Sequence, residues 1–395
     1  MTANNEVVII DGARTAIGNF GGALKDVTAP ELGAAAATGV LDKTGIDPTL
    51  VKEFIMSNAR QAGVGPNPAR LAQCRTLIPL TAPANTPQQA CVGGLRAVIQ
   101  GYHSIVMGDA DVVLAGGMES LSNVPYLSMT TRWGARMGET KLLDGLHRDG
   151  FVCGIESKFM GELCDALAIE RGVTRDQQDE FAVQSNKKAA KGIASGFFAR
   201  QIVPVPVKSP KGPATFEVDE HVREDASMEG LAKLRPGFLK EGRITAGNAS
   251  GVCDGAAALL LTSDKRAEEL GLKPMAVIRS YGMAALPSTH FPVAPVPATR
   301  QALQRAGLKE KDIDLVEANE AFAAQVLMCM QELDFDPAIV NVYGGAVALG
   351  HPIGMSGSRI VMNLMYALKE RGKRYGLANI CGNGGHGMAM VIEMI

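Results

Sequence analysis

The 395-residue chain has no excess of one charge sign, no long apolar span and no paired cysteines, and each shortage closes off a class of function. Lysine plus arginine (39) nearly balances aspartate plus glutamate (41), leaving a formal net charge of −2. No global field is available to hold nucleic acid or an anionic membrane, so any anionic ligand must be met locally. No apolar run approaches the roughly 20 residues that span a bilayer. The opening Met1 to Glu6 has neither a basic n-region nor an apolar h-region, and it leads into Val7-Val8-Ile9-Ile10, which reads as a strand. The closing Ile392-Glu393-Met394-Ile395 also reads as a strand and carries no recognisable address. The expectation is a soluble cytoplasmic protein with no nucleic-acid or membrane partner.

The seven cysteines (Cys74, Cys91, Cys153, Cys164, Cys253, Cys329 and Cys381) stand singly, with no CxxC pair. That pattern suits reduced thiols better than a disulfide framework or a zinc site, and most of them read as small buried apolar side chains. What is abundant is apolar content, 46%, in a chain long enough for two or three packed units.

Those units are related by an internal duplication. Val40 to Ile46 leads to Phe54-Ile55-Met56-Ser57-Asn58, and Ala302 to Leu308 leads to Leu315-Val316-Glu317-Ala318-Asn319. Each reads as a helix closed by glycine, then a strand that stops at Asn. The correspondence continues through Gly94-Leu95-Arg96-Ala97-Val98 against Gly357-Ser358-Arg359-Ile360-Val361, and through Val112 to Gly117 against Leu377 to Gly382. A final strand, Met388 to Ile392, has its counterpart Ala256 to Leu261 far downstream, so residues from about 121 to 249 are an insertion. It contains a predicted helix from Thr174 to Ala190, with Thr174 as N-cap, and reads as a lid or ligand-binding lobe. Alternating strands and helices in each copy predict helix-covered α/β halves with active-site loops at strand ends.

Two positions related by the repeat differ in a telling way. One copy carries Gln89-Ala90-Cys91-Val92-Gly93-Gly94, the other Gly344-Gly345 and then Gly350-His351-Pro352. If the halves pack about a pseudo-twofold axis, a cysteine faces a histidine. Cys91 precedes a glycine-rich helix start, where free N–H groups and the helix dipole are expected to lower a thiol pKa; a buried inert cysteine is the competing reading. His351 lies in a loop too rich in glycine for ordinary packing. Cys381 ends a strand and is followed by Gly382-Asn383-Gly384-Gly385-His386-Gly387, a run that lets backbone N–H groups approach a ligand, although a plain hairpin turn explains the glycines as well.

Together with Asn248-Ala249-Ser250-Gly251, Asp254-Gly255-Ala256-Ala257 and Asn319-Glu320-Ala321-Phe322, these motifs resemble, in order and across nearly the whole chain, those of the thiolase family. The resemblance implies a duplicated, layered α/β/α/β/α sandwich with an inserted loop domain. Residues 1–120 with 250–270 form the first half, 121–249 the lid, and 271–395 the second half. It implies an acetyl-CoA C-acyltransferase of fatty acid metabolism that cleaves or forms a carbon–carbon bond between thioesters, with CoA and acyl-CoA as substrates, no cofactor and no metal, in a homodimer or homotetramer. By the same resemblance Cys91 takes the acyl group and His351 accepts its proton. Asn319 holds a water beside His351, Cys381 handles the α-carbon proton, and the backbone N–H groups of Cys91 and Asn383 form an oxyanion hole. Ser250 lies along pantetheine, Arg223 meets a CoA phosphate, and Met160 and Phe238 stand by the acyl pocket.

This chain departs from the family at Gly93, where Ser is usual, at Asn383, in place of Gly, and at His386, in place of Gln. Asn383 is expected to tolerate positive φ, and His386 could perturb Cys381. Phe159-Met160-Gly161 stands where short-chain members carry His-Met-Gly, and Phe291-Pro292 where they carry Met-Gly. Three other readings fit parts of the sequence: a ketoacyl-synthase-type condensing enzyme, against which Cys381 argues; a non-catalytic thiolase-like subunit; and a zinc site of Cys91, His351, Cys381 and His386, whose spacings match no ligand motif.

Overall fold

The computed structural model describes residues 6–209 and 212–395. Eight principal strands carry the fold: β1 (Val7–Thr15), β2 (Glu53–Ser57), β3 (Val112–Ser120), β4 (Cys253–Ser263), β5 (Ala276–Ala285), β6 (Leu315–Ala318), β7 (Tyr375–Gly382) and β8 (His386–Met394). In the first half β1 runs antiparallel to β4, β4 antiparallel to β3, and β3 parallel to β2. In the second, β5 runs antiparallel to β8, β8 antiparallel to β7, and β7 parallel to β6. The duplication read from the sequence is thus repeated strand for strand. It extends to an irregularity: β1 slips register between Ile9 and Asp11, and β5 between Ile278 and Ser280. The halves are joined where β1 and β5 pair over only Val8↔Val277 and Ile9↔Ala276.

Six helices pack these sheets: α1 (Ala29–Thr44), α2 (Gly93–Met107), α3 (Met160–Glu170), α4 (Arg175–Ala194), α5 (Pro295–Ala306) and α6 (Ile353–Arg371). Helices α1 and α5 end on Gly45 and Gly307, both left-handed (φ 65° and 69°), as the repeat requires. Every residue of α6 from Ile353 to Leu368 is buried, because this helix touches β3 and β4 on one side and β6 and β7 on the other. A helix buried all round belongs to a central layer. Helix α2 lies beside it, while α1 covers the outer face of the first sheet and α5 that of the second.

The two central helices meet through glycine. A Cβ on Gly357 would sit 2.1 Å from Leu95 N, and one on Gly94 would sit 2.7 Å from Gly354 O, so neither position has room for a side chain. The chain leaves the first sheet after Ser120 and returns at Cys253, touching the sheet between them where Ile202–Val203 pairs in parallel with the end of β1. Between them Thr174 caps α4, its hydroxyl accepting from Gln177 N at 3.2 Å. The helix runs a turn beyond the predicted Ala190, because Gly192 packs under the Phe198 ring and the reversal comes only at Gly196 (φ 72°). The excursion is tied down by Asp219, which takes both Nη groups of Arg14 at 2.7 Å with neither side chain exposed.

The glycine crossing generates a prediction. Gly357→Ala forces the helices apart and is expected to cost about 3 kcal/mol of stability, the upper range for overpacking a tight core. Urea unfolding of the variant beside the wild type checks this; an unchanged midpoint would show that the helices separate freely.

Candidate active site

The loops that end the strands of both halves converge on a cavity of about 240 Å³. Cys91 reaches it from a strained turn: Ala90 is held at φ 47°, uncommon for a residue with a side chain, and α2 begins two residues on. Gly93 has a local reason. A Cβ there would lie 2.2 Å from the buried hydroxyl of Ser57, so the departure from the family's Ser makes room for Ser57.

Burial raises the Cys91 thiol pKa, opposed in turn by the charge of Arg60 and by the N–H groups of Asn383 and Cys91 directed at the sulfur. The helix-start argument predicted a lowered pKa. Desolvation outweighs those donors, so the resting group is a protonated thiol.

His351 enters from the other copy, just before α6. Its backbone N–H donates to Gly251 O at 3.1 Å, and Gly350 at φ 97° makes the bend, where a Cβ would strike Cys253 Sγ at 2.3 Å. His351 Nδ1 lies 2.6 Å from Ser356 Oγ, whose own proton is given to Pro352 O at 3.0 Å. Ser356 therefore accepts from Nδ1–H, which leaves Nε2 as a free lone pair with no partner among the described residues. Burial, then the charges of Arg359 and Arg60, press the imidazole pKa from 6.5 down to about 3.

Cys381, at the end of β7, also lines the cavity, and burial together with the nearby thiols of Cys91, Cys329 and Cys164 pushes its pKa well up. His386 does not line the cavity. Asn383 lines the cavity without positive φ; the left-handed residues of this turn are Gly384 and Gly385.

Met160, Phe238 and Ser250 line the cavity as well. Ser250 N donates to Ala321 O at 3.1 Å, and the Phe238 ring covers Gly161, where a Cβ would lie 2.3 Å from it. Two residues singled out from the sequence stand outside the lining. Asn319 is fully buried behind it, its N–H on Asn379 O at 2.9 Å and its side-chain amide without a partner among the described residues. Arg223 is exposed, with its N–H on Asn186 Oδ1 at 2.9 Å; its charge is felt by His221, whose ring packs on Gly251 of the lining.

The structure adds residues that sequence reasoning missed. Glu119, fully buried, accepts from Asn58 Nδ2 (2.8 Å), Ala59 N (3.1 Å), Arg60 N (3.1 Å) and Gly354 N (2.9 Å), stapling the loop after β2 to the start of α6. Arg60 and Phe151 are further lining residues. The repeat held a signal for Arg60: it follows Asn58 as Ala321 follows Asn319. Among the described residues no group of three or more His, Cys, Asp or Glu side chains is disposed to hold a metal, and no helix is long and apolar enough to cross a membrane.

A duplicated, layered α/β fold that sets a cysteine of one copy against a histidine of the other defines an acyl-transferring enzyme of the thiolase class. The chain belongs to the thiolase family: residues 7–265 match the thiolase N-terminal domain and residues 272–394 the thiolase C-terminal domain. It is 47% identical over 389 residues to an acetyl-CoA acetyltransferase of Chromobacterium violaceum, covering 98% of this chain and 99% of the relative. It is 45% identical over 389 residues to the Escherichia coli acetyl-CoA acetyltransferase, with the same coverage. The fold superposes on the Bacillus anthracis acetyl-CoA acetyltransferase at a TM-score of 0.97 (40% identity, all of both chains). It superposes on human mitochondrial 3-ketoacyl-CoA thiolase at 0.96 (38% identity, 99% of each).

The depressed His351 pKa sets a pH dependence. Below 6.5 the unfolded chain takes up a proton that the folded imidazole refuses until about pH 3, so this residue makes folding stability fall as pH drops through that window. His351→Asn removes the term. Urea midpoints between pH 7 and 4 should decline less steeply in the variant, and parallel slopes would contradict the burial of a neutral imidazole.

Proposed function

We propose that this chain catalyses reversible thiolysis of a 3-oxoacyl-CoA by CoA, and in the other direction the condensation of acetyl-CoA with an acyl-CoA, through an acyl group carried on Cys91. The observation that carries this reading is the convergence of Cys91, His351 and Cys381, from both copies of the repeat, on one largely apolar cavity.

The geometry supports a division of labour. With Cys91 resting as a neutral thiol, attack on the 3-oxo carbon needs a base, and the free Nε2 of His351 is the lone pair available. The N–H groups of Cys91 and Asn383 that face the sulfur also suit the oxyanion formed when sulfur adds to the carbonyl. When the C2–C3 bond breaks, its electron pair stays on C2 and Cys381 supplies the proton, releasing acetyl-CoA. The CoA thiol then attacks the acyl-Cys91 thioester and gives its proton to the Cys381 thiolate, while His351 returns the first proton to Cys91. Asn319, a buried amide without a partner among the described residues, suits the water-holding role beside His351. In this reading Ser250, a lining residue, flanks the pantetheine arm, and the exposed Arg223 meets a CoA phosphate.

We read the protein as a cytoplasmic homo-oligomer, dimer or tetramer, that works on fatty acyl thioesters without a cofactor. Five phenylalanines (Phe151, Phe159, Phe238, Phe291 and Phe322) line the cavity, a wall that favours an acyl group larger than acetyl.

Three outcomes test the reading. Incubated with an acyl-CoA alone, the chain should gain the acyl mass on Cys91. Cys381→Ala should still acylate yet lose about 100-fold or more in the exchange of acetyl-CoA methyl protons with deuterated water, the usual scale of a proton-transfer residue. Normal exchange in that variant would remove Cys381 from the mechanism. Across a graded series of 3-oxoacyl-CoA thioesters, kcat/KM should peak beyond acetoacetyl-CoA, each added methylene contributing about 1–3 kcal/mol to discrimination. An optimum at acetoacetyl-CoA refutes the size preference alone.

A further inference from the structure

One cavity-lining residue has no part in the chemistry above. Arg60 is only 6% exposed, and its guanidinium donates to two backbone carbonyls, Gly150 O at 3.2 Å and Ala59 O at 3.4 Å. Among the described residues its Nε has no partner and the side chain forms no ion pair. The acids around it are committed elsewhere. Glu119 spends its oxygens on Asn58 and on three backbone N–H groups, and Asp149, which shares a neighbouring cavity with Arg60, is paired with Arg148.

Glu119 feels the charge of Arg60 but accepts no hydrogen from its guanidinium, and a buried cation with no carboxylate hydrogen-bonded to it is costly, by several kcal/mol, unless something completes it. An apolar side chain would line this wall without that cost. The guanidinium fork is shaped for two carboxylate oxygens, and among the described residues Arg60 is the one lysine or arginine lining this cavity, whose wall includes five phenylalanines.

We propose that Arg60 docks a carboxylate at the far end of the acyl chain, so that the preferred substrate is a short 3-oxo thioester bearing an ω-carboxylate. This rests on the thiolase reading and narrows its substrate. Arg60, Cys91 and His351 line one cavity of about 240 Å³, which places the carboxylate within a few carbons of the thioester, as in a succinyl group. With 3-oxoadipyl-CoA, Cys91 sulfur adds to C3, the C2–C3 bond breaks, Cys381 protonates C2 to release acetyl-CoA, and succinyl stays on Cys91 until CoA sulfur removes it.

The test uses two thioesters of equal length, 3-oxoadipyl-CoA ending in carboxylate and 3-oxohexanoyl-CoA ending in methyl, with acetoacetyl-CoA as reference. The wild type should cleave the carboxylate form with the higher kcat/KM. The carboxylate-to-methyl ratio should fall roughly 100-fold in Arg60→Leu, the scale of losing one partner of a buried charge pair, and less in Arg60→Lys. Arg60→Gln, close in size, keeps the ratio measurable if the Leu variant fails to fold. A wild type that prefers the methyl form overturns the proposal, as does a variant that loses both substrates equally, since Arg60 would then be serving Cys91. If acetoacetyl-CoA alone is cleaved, this inference fails and the thiolase reading stands; if nothing is cleaved and no acyl mass appears on Cys91, both fall.

Discussion

The site depends on a contact between two backbones. Gly94 and Gly117 of the first copy meet Gly354 and Gly357 of the second so closely that a Cβ on Gly117 would sit 1.8 Å from Gly354 O and one on Gly354 2.5 Å from Met118 O. Only glycine allows the first turns of α2 and α6 to approach in this way. Cys91 lies just before one helix and His351 just before the other, so the separation of nucleophile and base is set by how near these helices come. Glu119 adds the polar half of the same junction, because its carboxylate receives N–H groups from the loop after β2 and from Gly354 at the start of α6.

Bringing these groups together also dries them, and the drying decides their chemistry. Burial raises both thiols and lowers the imidazole, so the triad rests uncharged. A helix start alone argues for a standing thiolate at Cys91. In this cavity the N–H groups of Cys91 and Asn383 are too few to offset the lost water, and they are better matched to an oxyanion that forms only once substrate has displaced the remaining solvent. Ser356 complements this arrangement. By accepting from Nδ1 it fixes which nitrogen of His351 is bare, a choice that the position of the histidine alone leaves open.

Much of this was legible in the sequence because the fold is written twice. Matching glycine stops, Asn-ending strands and the Gly94/Gly357 pair located both sheets, the insertion, and the loops carrying Cys91, His351 and Cys381. What stayed hidden arises from packing between segments distant in the chain. The need for Gly93 comes from Ser57, the role of Glu119 from four donors on two separate loops, and the behaviour of Asn383 from Gly384 and Gly385 taking the left-handed positions of the turn. Asn319 and Arg223 were visible as residues, but their placement behind and outside the cavity depends on how the loop after β6 and the lid are folded over it.

The repeat is also informative where its copies diverge. After the Asn that ends β2 the chain continues Ala59-Arg60, and after the Asn that ends β6 it continues Glu320-Ala321-Phe322. The two loops face one cavity; one supplies a guanidinium at the position of Ala321 in the other, which supplies an aromatic ring one residue later. In the second copy the buried acid of this loop, Glu320, is satisfied by Ser185, Asn341 and Val347 N, which locks the loop and leaves Phe322 as apolar wall. In the first copy the loop is locked through its backbone by Glu119, and the Arg60 side chain, which that staple does not use, is left facing the cavity. The same structural problem, fixing a loop at a strand end, is thus solved in one half by the loop's own carboxylate and in the other by a neighbour's. That difference allows the two halves of one duplicated scaffold to present a charged group and an apolar one to a single cavity.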